Sequence, residues 1–185
     1  MQSVETHART NLLHSWSEGD NGARNRLFDA FSPELCQAAA GLLRNERAVS
    51  LSSGDLVHET VIRLVHLKRI EWTDRAHFMA MASRFMRRAL VDHVRSKQRN
   101  KRDHVKVELT TRFAAHRPID LQKLDHALLR LAALDQEKAD IVEMRYFGGM
   151  SFADIAEVLP LSEPTIKRRW SVARIWLLEA IENPL

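Results

Sequence analysis

The sequence predicts an all-α protein: two small helical domains joined by a flexible linker, the second ending in a helix-turn-helix. Three observations carry this prediction. Glycine and proline are scarce, at six and five in 185 residues, while helix-forming Leu, Ala, Met, Glu, Lys and Arg fill the long stripes. Apolar residues recur at helical spacing through most of the chain. That period fails from Lys101 to Pro118, which divides the sequence into residues 1–98, a linker at 99–119 and residues 120–185.

From Asn11 to Glu46 the helical positions are Leu12, Leu13 and Trp16, then Leu27, Ala30 and Phe31, then Leu35, Ala39, Leu42 and Leu43. Breaks are expected at Gly19-Asp20 and at Ser32-Pro33, where Asp20 and Ser32 can cap and Pro33 suits a first turn. The next helix starts near Ser53-Gly54-Asp55. Its stripe of Leu56, Val57, Val61, Leu64 and Val65 leaves His58, Glu59, Arg63 and His66 on the polar side. A loop around Lys68–Arg75 holds Trp72. A long helix follows from about Arg75 to Asn100, with Phe78, Ala82, Phe85, Met86, Ala89, Leu90 and Val94 inward and its arginines outward. Within the linker, Val105–Leu109 alternates like a strand but has no obvious partner.

Helical spacing returns after Asp120, a cap, with Leu121, Leu124, Leu128 and Leu131. A second cap at Asp135 starts Gln136–Phe147, which stops at Gly148-Gly149. The last window is the most tightly specified. Ser151 and Asp154 form a capping-box pattern, and Ile155, Ala156 and Leu159 give a short helix one apolar face around a small residue. Ser162 opens a second helix in which Ile166, Trp170, Ala173 and Leu177 share a stripe while Lys167, Arg168, Ser171 and Arg174 project elsewhere. One face can pack while another meets phosphates and base edges. Pro160 cannot take a positive φ, so the turn must use another conformation and Leu159 should end its helix.

Charge placement points the same way. Between Ala82 and Lys106 nine basic residues face only Asp92 and Asp103, a local balance of +7 in a chain whose net charge is +4. A concentrated basic segment in an otherwise slightly acidic chain is the footprint of a polyanion site. Trp72, directly before the arginine-rich helix, suits stacking of unpaired bases beside cations that follow the backbone.

Other classes of function find little support. His58-Glu59 would need His at position 62 for a zinc-protease pattern, and Ile62 stands there. There is no glycine-rich phosphate loop and no Gly-x-Ser-x-Gly elbow, and Cys36 is alone, so neither an enzyme nor a metal or other cofactor is expected. No apolar run approaches the ~20 residues of a membrane span, and residues 1–7 lack a charged-then-apolar leader, so a cytoplasmic location is expected.

Four pieces taken in order, Asp55-Leu-Val-His-Glu-Thr-Val-Ile-Arg-Leu64, Trp72-Thr-Asp-Arg-Ala-His-Phe78, Met86-Arg-Arg-Ala-Leu-Val-Asp-His-Val-Arg95 and Leu131-Ala-Ala-Leu-Asp135 before the terminal helix pair, resemble the extracytoplasmic-function sigma factors of bacterial RNA polymerase. The resemblance runs from about Asn11 to Ile181. It implies that Asp55, Glu59 and Arg63 bind the β′ clamp helices, with the β flap a further core contact. Trp72, Arg75 and His77 would capture a flipped base of the −10 element, and Arg84, Arg87, Arg88, Arg95 and Lys97 would hold backbone around the melted strand. Lys167, Arg168 and Ser171 would enter the −35 major groove, with Thr165, Arg169 and Arg145 near phosphates. Partners implied are core RNA polymerase and promoter DNA, with an anti-sigma factor as a candidate regulator. The terminal helix pair alone equally resembles response-regulator activators, so a helix-turn-helix activator with a helical sensory or dimerisation domain is the alternative.

Overall fold

The structure, a computed structural model, describes residues 11–16, 18–43, 51–67, 74–100, 106–108 and 118–183. Four helices form the N-terminal part: α1 (residues 11–16), α2 (Asn21–Leu43), α3 (Ser53–Val65) and α4 (Arg75–Asn100). Two short strands, β1 (Lys106–Glu108) and β2 (Pro118–Asp120), precede α5 (Leu121–Leu134), α6 (Gln136–Val142), a π-helical turn (Glu143–Phe147), α7 (Phe152–Val158) and α8 (Glu163–Glu182). The protein is all-α apart from that strand pair. No helix among the described residues is long and apolar enough to cross a membrane.

Local chemistry sets most boundaries. The Asp20 carboxylate accepts from the Gly22 N–H at 2.7 Å and starts α2. Ser52 and Asp55 form a reciprocal capping box on α3, and Ser151 and Asp154 form another on α7. Asp120 and Asp135 cap α5 and α6. The expected break at Ser32-Pro33 is absent, because α2 runs through Pro33. Proline removes one helical hydrogen bond, but Phe31 and Leu35 on either side are fully buried, and their packing outweighs the local defect. The strand-like segment also has a partner after all: Lys106–Glu108 pairs antiparallel with Pro118–Asp120, placing Val107 opposite Ile119.

In the N-terminal part α2, α3 and α4 pack around Phe31 and Phe78, whose rings stack with centroids 4.3 Å apart. Leu13, Leu27, Leu56, Leu64 and Met86 are buried around that pair. The C-terminal helices bury Leu124, Leu128, Ile141, Phe147, Ile155, Ile166, Ala173 and Leu177. These apolar residues form one contiguous core, since α4 packs against the π turn and α7 as well as against α3. Gly148 marks that joint. A Cβ there would lie 1.9 Å from Ser83 Oγ on α4 and 2.8 Å from the Met144 carbonyl, so only glycine fits.

Candidate polymerase and nucleic-acid interfaces

Asp55, Glu59 and Arg63 lie on one side of α3, as their spacing implies. Asp55 and Glu59 are exposed. Arg63 is half-buried and donates to Asp92 of α4 at 2.9 Å. The Ser52 hydroxyl and backbone N–H hold the Asp55 carboxyl below the usual range. A shallow hollow between α3 and α4, lined by Asp55, His58, Glu59, Arg63, Asp92 and His93, runs along this side. Ile62, exposed on the same helix, adds an apolar residue to a charged surface.

The α4 arginines are not the free outward row that their sequence suggests. Arg87 has a side chain only 13% exposed, donating to Asp125 at 3.0 and 2.7 Å and also to Glu143. Burial works against its charge, but Glu143 and Asp125 outweigh that and raise its pKa. Arg84 reaches Asp140 at 2.8 Å and Arg95 reaches Asp125 at 3.0 Å. Arg75 bridges Glu34 of α2 and Asp154 of α7, at 2.8 and 2.7 Å. Desolvation opposes its charge too, and the two carboxylates again prevail. Arg88 is exposed beside the Phe85 ring, 5.7 Å from its centroid, and has no ion pair among the described residues. His77 closes on Asp74 at the start of α4, with its Nδ1 2.9 Å from the carboxylate. Trp72 and the side chain of Lys97 lie outside the described residues.

Asp125, Asp140, Glu143 and Asp154 were missed as partners because they are 30–79 positions from the arginines they bind. One signal was available: Asp125 follows Leu124 directly on the buried side of α5, where an unpaired carboxylate would be costly.

At the C-terminal end, Ile166, Trp170, Ala173 and Leu177 are buried, while Lys167, Arg168 and Ser171 are exposed on the opposite side of α8. Lys167 pairs with Glu163 one turn back at 2.6 Å, and Thr165 Oγ1 lies 2.9 Å from Ser162 Oγ. Arg169 is tied to Glu137 of α6, and Arg145 donates to the Met150 carbonyl at 2.6 Å while lying over the Phe152 ring. Arg174 does not project freely: it is half-buried, and its Nε has no hydrogen-bond partner among the described residues. The turn before α8 is as Pro160 requires. Val158 ends α7, Leu159 is extended at φ −102° and ψ 140°, and Leu161 donates back to the Leu159 carbonyl at 2.6 Å.

An all-α fold with arginines massed on one helix and an exposed basic strip on the last defines a class of helical, polyanion-binding proteins. The family is specific. The chain matches the ECF sigma factor family over residues 6–183 and belongs to it. No protein with a curated description matches it. The chain is accordingly a sigma factor that acts in transcription initiation, and core RNA polymerase and promoter DNA are the partners that membership implies. This is not an enzyme family.

Proposed function

We propose that this sigma factor holds a promoter at two points, with residues 1–98 engaging core polymerase and the −10 element and residues 120–185 reading the −35 element. Asp55, Glu59 and Arg63 dock on the β′ clamp helices, and Ile62 supplies the apolar contact that a charged rim lacks. Trp72 and the start of α4 receive an extruded base, with Arg84, Arg87, Arg88, Arg95 and Lys97 along the strand backbone. Extrusion costs a few kcal/mol, and stacking at ~1–3 kcal/mol per base together with cationic contacts offsets it. Lys167, Arg168 and Ser171 enter the −35 major groove, while Thr165, Arg169 and Arg145 orient the helix against phosphates. The polymerase makes every bond.

The observation that carries this reading is α8 itself. Its apolar stripe is buried and its Lys167, Arg168 and Ser171 strip is left to solvent, in a chain matched along nearly its whole length to sigma factors. Run-off transcription with purified core polymerase and a promoter library tests it. Lys167→Ala with Arg168→Ala should cost about 1–3 kcal/mol per base contact, a tenfold or greater loss of −35-dependent initiation, with core binding unchanged. Equal loss of core binding would assign those residues to the fold and sink the −35 assignment.

A further inference from the structure

The exposed side of α8 is not wholly polar. Arg168, Val172 and Ile175 follow one another along it at helical spacing, with Val172 51% and Ile175 64% exposed. Neither apolar residue belongs to the core, and β-branched residues are poorer helix formers than Ala, so folding gains little from them there. Their neighbours are the residues read above as −35 contacts. Arg168 has no ion pair among the described residues and offers only N–H donors, whereas Lys167 is held by Glu163 at 2.6 Å. The Ser171 hydroxyl donates to the Lys167 carbonyl at 3.0 Å, so it turns lone pairs outward. Val172 adds methyl groups to these donors and acceptors. Each base pair shows the major groove its own pattern of acceptors and donors, and thymine alone adds a methyl group. Along the helix Arg168 and Val172 are one turn apart, about 6 Å, which corresponds to about one to two base-pair steps. Ile175 lies about 10.5 Å from Arg168, nearly the width of the groove, and so past the base edges that the N-terminal half of such a helix reaches.

We propose that Val172 is a specificity-determining residue: it packs on the methyl group of a thymine in the −35 element, about one to two base pairs from the base that Arg168 contacts. This rests on the reading of α8 as the −35 helix, and it names part of the sequence that helix selects. Covering one methyl group is worth about fourfold in affinity. The discrimination comes from shape and desolvation, so it is separable from the hydrogen bonds and charge that Lys167 and Arg168 supply.

The test uses holoenzyme assembled from the full chain and purified core polymerase. Run-off transcription from a library with a randomised −35 element first fixes the preferred sequence. Each thymine in it, on either strand, is then replaced singly by deoxyuridine, which lacks only the methyl group. The unaltered chain should lose about fourfold in initiation at one of these positions, and Val172→Ala less than about 1.5-fold there. Val172→Thr, which keeps the shape and one methyl group, should retain most of the dependence. Alanine is the better helix former, so Val172→Ala keeps α8 folded, and its core binding should be unchanged. A preferred element without thymine, or one in which no deoxyuridine matters, overturns the proposal. So does a methyl dependence that survives Val172→Ala or is lost equally with Ile175→Ala, and so does weaker core binding by Val172→Ala. Lys167→Ala with Arg168→Ala separates the two readings. If that variant keeps the unaltered −35 preference, α8 is not the −35 helix; if the preference collapses while deoxyuridine has no effect on the unaltered chain, only the role of Val172 is discarded.

Discussion

Replacing Arg87 by Met tests how strongly the two halves of the molecule are coupled. The side chains of Asp125 and Glu143 are only 9% and 10% exposed, so losing Arg87 leaves two carboxylates in a nearly dry site. Removing one partner of a buried ion pair typically costs about 3–5 kcal/mol. Here part is recovered, since Arg95 still reaches Asp125 at 3.0 Å and Arg84 lies 3.6 Å from Glu143, which leaves about 2–3 kcal/mol. At about 2–4 °C per kcal/mol for a chain of this size, calorimetry should record a fall in Tm of about 5–10 °C. Arg95→Met is the internal comparison. Its side chain is 47% exposed, and solvent-screened pairs contribute at most about 1 kcal/mol, so its Tm should fall by no more than about 2–4 °C. Equal shifts for the two variants would refute the argument that burial, rather than the number of charges, decides the strength of this joint.

Other expectations concern single sites. Burial pushes the Asp154 carboxyl up, but the Ser151 hydroxyl and Arg75 prevail and hold it below the usual carboxylate range. A depressed folded pKa contributes stability that is present above the unfolded value of about 3.9 and is lost as pH falls through the folded one. Acid unfolding below about pH 4 should therefore be less steep for Asp154→Asn than for the unaltered chain, and parallel curves would exclude that contribution. Gly149 sits at φ 64°, so Gly149→Ala should cost about 1 kcal/mol in urea unfolding, and an unshifted midpoint would contradict the strain. Ser151→Ala should cost about 1 kcal/mol because its hydroxyl caps α7, and Ser162→Ala much less, since that hydroxyl caps no backbone N–H of α8. A reversed order in thermal melts would show that the cap geometry does not control these helix starts.

What could be read from the sequence was what is encoded locally. The capping box at Ser151-Asp154, the helix start near Ser53-Gly54-Asp55 and the stripe from Ile166 to Leu177 each need only residues within a few turns, and all stand where the pattern puts them. Pro33 misled because a local penalty was weighed without the burial of Phe31 and Leu35, which is a property of the assembled core. The partner of Lys106–Glu108 is three residues long and headed by a proline, too short to leave a strand pattern. The α4 ion pairs were invisible for another reason. Charge patterning along one helix reports which side is polar, and it does not say whether water, nucleic acid or another part of the same chain satisfies that side.

That distinction changes what the basic segment means. A local charge of +7 measures attraction for a polyanion only if the cations are free to release a polyanion's counterions. In this arrangement Arg84, Arg87 and Arg95 already have carboxylate partners, and Arg88 is the described arginine of that segment that remains without one. Binding DNA on α4 must then break protein ion pairs as well as make phosphate contacts, so its net gain per arginine is smaller than for a solvated side chain. The exposed Lys167, Arg168 and Ser171 strip carries no such cost beyond the one-turn pair with Glu163. The two basic regions are therefore unequal: the strip on α8 is open to solvent, whereas Arg84, Arg87 and Arg95 of α4 are held by carboxylates of the same chain.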